Sequence, residues 1–185
     1  MHVDKLPPVP PPSWSYTPEQ ITSAVASALA TTEAVLDRIG ALPQAGRTFE
    51  TVARALAIRE GEHAVEVEPA IFLQYVSTSA AVRHASVEAD KAAQEFELSS
   101  ITRLDVYAAL KDAQAHTEAN QVQLNPEEQR LLDRLLLDRT RNGLALAPEK
   151  REELLKLKTE IMNLEVSGVR QTRLLTPPSL QTRPC

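Results

Sequence analysis

Apolar positions recur along most of this chain at intervals of three and four, the spacing of residues that share one face of an α-helix. The first such run is Ile21, Val25, Leu29, Leu36 and Ile39, and Thr17-Pro18-Glu19-Gln20 marks where it begins. Thr17 is a capping residue, Pro18 suits the first helical position, and Gln20 can complete a capping box. Gly40 and Pro43 stop the helix. A second helix starts at Thr48, carries Phe49, Val52 and Leu56, and extends toward Val67, with Gly61 weakening its later part. Pro69 is expected to open a separate short apolar piece, Ile71 to Val76, that ends at Ser77-Thr78-Ser79.

From Ser79, Val82, Ala85, Ala89, Ala93 and Phe96 recur at helical spacing, with Arg83, Glu88, Lys91 and Glu95 largely on the other side. The small residues predict close approach to a neighbouring helix, and Phe96 fills a wider gap near the end. Ile101 to Glu118 carries Leu104, Tyr107, Ala108 and Leu110 and is expected to continue this helix without a real break. Asn125-Pro126-Glu127-Glu128 is a strong helix start, Leu131, Leu132, Leu135 and Leu136 form its buried stripe, and Gly143 supplies the left-handed cap. Pro148 opens the last helix, whose seam is Leu154, Leu157, Ile161 and Leu164. Glu152, Lys156 and Glu160 give solvent-side pairs at i,i+4.

These runs predict an all-α fold of antiparallel helical hairpins over residues 17–166. Residues 1–16 read as a proline-rich extended arm, since six of the thirteen prolines fall at or before Pro18. Residues 167–185 have no periodicity and two adjacent prolines, and read as a disordered tail.

Composition narrows the function classes. Apolar residues make up 43% but aromatic ones 4%, with five Gly, which suits helix-on-helix packing. The formal net charge is -5 and the cations are scattered, which argues against a nucleic-acid partner. No apolar run approaches the roughly 20 residues of a membrane span, so no membrane partner and a cytoplasmic location are expected. Cys185 is the single cysteine, which leaves no intramolecular disulfide and no metal-site spacing.

Candidate chemistry is sparse. His84 and Glu88 stand four apart on a predicted helix and would share a face, but no third ligand accompanies them, and a surface or capping role is the plainer reading. His63 and His116 lie near predicted helix ends among polar neighbours, and His2 lies in the arm. Glu88, Asp90, Glu95 and Glu97 are spread around a helix as a solvated face crossed by Lys91, not paired for acid-base work. Ser77, Ser79, Ser86, Ser99 and Ser100 lack nucleophile-elbow glycines and a His-Asp relay, and read as caps and packing residues. Arg141-Asn142-Gly143 reads as a helix stop, with Arg141 serving the last carbonyls.

The runs Tyr75-Val76-Ser77, Arg83 to Lys91, Glu95-Phe96-Glu97, Asp105-Val106-Tyr107 and Arg141 to Leu144 carry a further signal in their order and spacing. With them the chain resembles the N-terminal region of the thimet oligopeptidase and neurolysin family of zinc metalloendopeptidases, including its fungal, saccharolysin-like members. The resemblance implies the start of the first lobe of a two-lobed helical enzyme, whose deep channel holds a zinc site that cuts short peptides. That site is an HExxH helix, two His ligands with a general-base Glu between them, and no HExxH occurs in these 185 residues. No catalytic, cofactor-binding or metal residue is therefore assigned here; zinc and short-peptide substrates belong to the intact family. The loss of pattern after Val166 is expected to reflect truncation, by a shifted reading frame or a retained intron. With the later helices missing, Leu154, Leu157, Ile161 and Leu164 would be exposed and favour self-association. The competing class is a helical interaction module, docking through the arm Lys5-Leu6-Pro7-Pro8-Val9-Pro10-Pro11 or the leucine seam.

Overall fold

A computed structural model describes residues 13–175. The expected extended arm, over Met1 to Pro12, and the part of the expected tail beyond Leu175 lie outside the described residues. Within them the fold is all-helical, with no strand.

Helix α1 (Pro18–Gly40) begins as its first turn dictates. The Thr17 hydroxyl accepts from the Gln20 amide, and the Gln20 side chain accepts from the Thr17 amide at 2.8 Å. Its end is tied down by Arg47, which donates to the carbonyls of Leu42 (2.9 Å) and Gly40 (3.1 Å) and pairs with Asp112 at 2.7 Å. Carbonyls orphaned at a helix C-terminus need such donors.

Thr48 and Thr51 cap the next segment reciprocally. It opens with a π-helical turn, Phe49–Arg54, and continues as α2 (Ala55–Val76). Pro69 therefore does not open a new piece, because it lies inside α2 and is buried. Proline forfeits one ladder bond and crowds the preceding turn, but Val67, Ala70 and Leu73 around it are buried with Ile21, Val25 and Ala28 of α1. That burial holds the helix continuous across the proline. Gly61 likewise sits within it, in open space.

Ser79 caps α3 (Ala80–Ile101). The expected run-on into the following helix fails at Thr102 and Arg103. The Thr102 hydroxyl donates to the Leu98 carbonyl at 2.7 Å, and Ser99 and Ser100 donate back to Phe96 (2.7 Å) and Glu97 (2.9 Å). Three hydroxyls satisfying the last carbonyls is a way to end a helix. Arg103 is then extended, and α4 (Leu104–Ala119) starts. Its buried face is Val106, Ala109, Leu110, Ala113 and Thr117, whereas Leu104 and Ala108 are exposed. Only Leu110 of the expected stripe is fully buried, since apolar residues lie around most of this helix.

Helix α5 (Pro126–Arg139) is capped by Asn125, whose oxygen accepts from the amides of Glu127 and Glu128, both at 2.9 Å. A π-helical turn, Thr140–Leu144, follows, with Gly143 at φ 93°. A Cβ there would lie 2.4 Å from Leu154 Cδ2, so glycine is needed for both backbone and space. The last helix, α6 (Pro148–Leu175), continues past Val166, where the sequence pattern stops.

Two cores result. The C-terminal half of α1, the Phe49–Arg54 turn, the start of α2, α4 and α5 enclose one, centred on Leu56, Leu110 and Leu132. The N-terminal half of α1, the C-terminal half of α2 and α3 enclose the other, around Ile21, Val25 and Ala70. Helix α1 thus runs antiparallel to α2, its first half facing the second half of its neighbour.

Candidate functional site

The residues singled out from sequence do not converge. His84 and Glu88 are both exposed on α3, and the described residues gather no group of three or more His, Cys, Asp or Glu able to hold a metal. The donor set of a zinc site does not fit onto them. His63 turns inward instead. Its Nδ1 lies 3.0 Å from the Thr32 hydroxyl, whose hydrogen is directed to the Ala28 carbonyl at 2.9 Å, and its ring stacks 6.2 Å from Phe96. Burial, reinforced by nearby Arg59, holds the His63 imidazole below its ordinary value. His116 has its Nδ1 buried with no partner among the described groups.

The four carboxylates split as well. Glu88, Glu95 and Glu97 are exposed, and Glu95 pairs with Lys91 at 3.7 Å. Asp90 departs from the solvated face: it accepts from Gln74 of α2 at 2.9 Å and from Gln94 at 3.2 Å. The serines cap or key helices. Ser86 is fully buried; its hydroxyl accepts from the Gln74 amide (2.9 Å) and lies 2.8 Å from the carbonyls of both Ala70 and Ile71. One hydroxyl hydrogen serves both carbonyls, so the group is inserted into the backbone ladder of α2, where side chains bend helices.

Several segments that carry the family signal thus serve as fasteners. Arg83 donates to the Ser77 (2.8 Å) and Thr78 (3.0 Å) carbonyls and closes the α2–α3 turn. Arg103 bridges Asp37 of α1 and Asp105 of α4, each at 2.5 Å. The Arg103 hydrogen bond holds the Asp105 carboxyl below its ordinary range. Asp105 also crowds Gly40, where a Cβ would meet its carboxylate at 2.1 Å. Of the Arg141-Asn142-Gly143 motif, Asn142 donates to the Asp138 carbonyl at 2.8 Å and accepts from Lys158. Within α5 itself, Arg139 donates to the Leu135 carbonyl at 3.4 Å.

Sequence reasoning passed over Arg139 and Glu60. Arg139 is 5% exposed, with its Nε unpartnered among the described groups, and burial pulls its guanidinium below the ordinary range. Glu60, exposed on α2, and Asp138 are the opposing charges that act on it. No sequence signal marks Arg139 and Glu60, which stand on different helices and come near one another only in the fold.

One outward edge of the fold is apolar. Leu154 tucks against Gly143, while Leu157 (52%), Ile161 (55%) and Leu164 (65%) stay exposed along α6. Beside them a cleft of about 220 Å³ opens between the α3–α4 turn and α6, with Leu104, Pro148 and Leu155 in its walls and Arg151, Glu152 and Lys158 at its rim. It contains no nucleophile with an adjacent base. Its shape and lining suit an apolar side chain from a neighbouring element.

No protein-family profile matches the chain. Among curated proteins it is similar to one from Arabidopsis thaliana described as "Probable thimet oligopeptidase", 34% identical over 119 residues. The similarity covers 64% of this chain and 16% of that relative. The chain thus spans about a sixth of the relative's length. No helix among the described residues is long and apolar enough to cross a membrane.

Proposed function

We propose that this chain is a non-catalytic helical segment of a thimet-oligopeptidase-like zinc metalloendopeptidase and forms part of the wall beside its peptide channel. The 119-residue similarity to the Arabidopsis protein, confined to 16% of its length, supports this reading. The geometry agrees with it. The ion pairs and keyed hydroxyls fasten helices to one another, and the outward apolar edge of α6, with its adjoining cleft, suits the addition of further helices. In the intact enzyme, zinc would polarise water for cleavage of short peptides, with the metal and its ligands supplied from outside this segment.

The test is a chimera in which residues 17–166 replace the matching segment of the Arabidopsis relative. Zinc-dependent cleavage of a quenched fluorescent peptide should survive in the chimera, and the isolated chain should bind no stoichiometric zinc and show no chelator-sensitive cleavage. A folded chimera that has lost cleavage would refute the assignment.

A further inference from the structure

Helix α2 carries a second exposed apolar line, separate from the α6 edge. Ile58 (56% exposed), Val65 (59%) and Phe72 (46%) lie seven residues apart, which is nearly two turns, so they fall on one side of the helix. Gly61, between the first two, has nothing within 4 Å of a Cβ built on it, so this side is open. The upper end of the line is already engaged. Trp14 packs edge-on against Phe72, with ring centroids 5.9 Å apart and planes at 68°.

Twelve residues precede Ser13, and their order is informative: Met1-His2-Val3-Asp4-Lys5-Leu6-Pro7-Pro8-Val9-Pro10-Pro11-Pro12. Five of the twelve are proline, a composition that favours the left-handed polyproline helix with three residues per turn. Val3, Leu6, Val9 and Pro12 recur at that period, so in that conformation they would form a single apolar edge. Successive members would be about 9.3 Å apart at about 3.1 Å per residue. Along α2, seven residues at about 1.5 Å each give about 10.5 Å between Ile58, Val65 and Phe72. The two repeats are close enough to pair at three positions, two steps apart end to end. Twelve residues reach about 37 Å in this conformation, more than the roughly 21 Å from Phe72 to Ile58.

We propose that residues 1–12 dock in cis along the exposed side of α2, with Trp14 as the anchor. Pro12 meets Phe72, Val9 meets Val65 and Leu6 meets Ile58. The occupant is a polyproline strand of this same chain, preorganised by its prolines and tethered at its C-terminal end, so little ordering entropy opposes docking.

The full-length chain tests this through a nitroxide placed in the arm, with His2→Cys as the attachment point and Cys185→Ser removing the native thiol. Docking predicts loss of most of the amide NMR signal for residues around Ile58 and Gly61, and its return when Leu6→Asp and Val9→Asp are added. Val65→Asp on the helix, a change at an exposed site, should restore the signal equally. Broadening absent from α2, or confined to the neighbours of Phe72, overturns the proposal. So does broadening that appears in a mixture of nitroxide-bearing chains and separate isotope-labelled chains, which would place the arm on a second copy.

Discussion

Ser86 shows how much one side chain can settle. Its hydroxyl touches three backbone groups of α2 with no exposure to solvent. Ser86→Ala leaves a small gap and removes those bonds, but the Gln74 amide can fall back toward the Ala70 carbonyl. We expect a loss of about 1–3 kcal/mol, read as a lower urea midpoint; an unchanged midpoint would mean the hydroxyl contributes nothing net. His63 makes a pH-dependent contribution. Its folded-state pKa is depressed below the ordinary 6.5, so the unfolded chain binds the proton more readily. The associated stability is present above pH 6.5 and is lost as pH falls through that value toward the depressed one. The urea midpoint should therefore drop on going from about pH 7.5 to about pH 5.5, and drop less in His63→Asn. Equal drops would assign the effect to other groups.

At the scale of the element, helix starts were the most legible feature. The starts at Thr17 and Asn125 depend on three or four consecutive residues, and both form where the sequence implies. Helix interiors and ends were less so, because distant residues decide them. Pro69 carries the local mark of a helix start, yet packing of its neighbours on α1 keeps α2 unbroken. The α3–α4 break had its signal in Ser99, Ser100 and Thr102, whose hydroxyls compete for the last carbonyls, but apolar periodicity alone runs over it. The buried face of α4 escaped for a different reason. Alanines 109 and 113 are the buried ones, and alanine contributes little contrast to an apolar stripe. The α6 seam was readable as a face, but only three of its four members stay open, since the special backbone at Gly143 makes room for Leu154. The inward turn of Asp90 and the burial of Arg139 follow from tertiary placement, and no local pattern announces them.

For the whole molecule, α1 and α2 pass through both cores, so neither core can come apart without loosening the other. Unfolding should therefore be one transition, with Trp14 fluorescence and far-ultraviolet circular dichroism tracing the same curve. Trp14 is the single tryptophan and sits at the end away from Leu110. Leu110→Ala, costing about 2–5 kcal/mol, should shift both curves together. Separate midpoints would show two independent units. The alanine-rich contact between α3 and its neighbours brings one last matter into view. Surfaces of Ala85, Ala89 and Ala93 are nearly smooth along the axis and offer little to stop one rod from slipping lengthwise past another. A hydroxyl seated in the other rod's backbone works like a locating pin, so that the axial alignment of this hairpin is dictated by a polar key and not by the shape of its greasy surfaces.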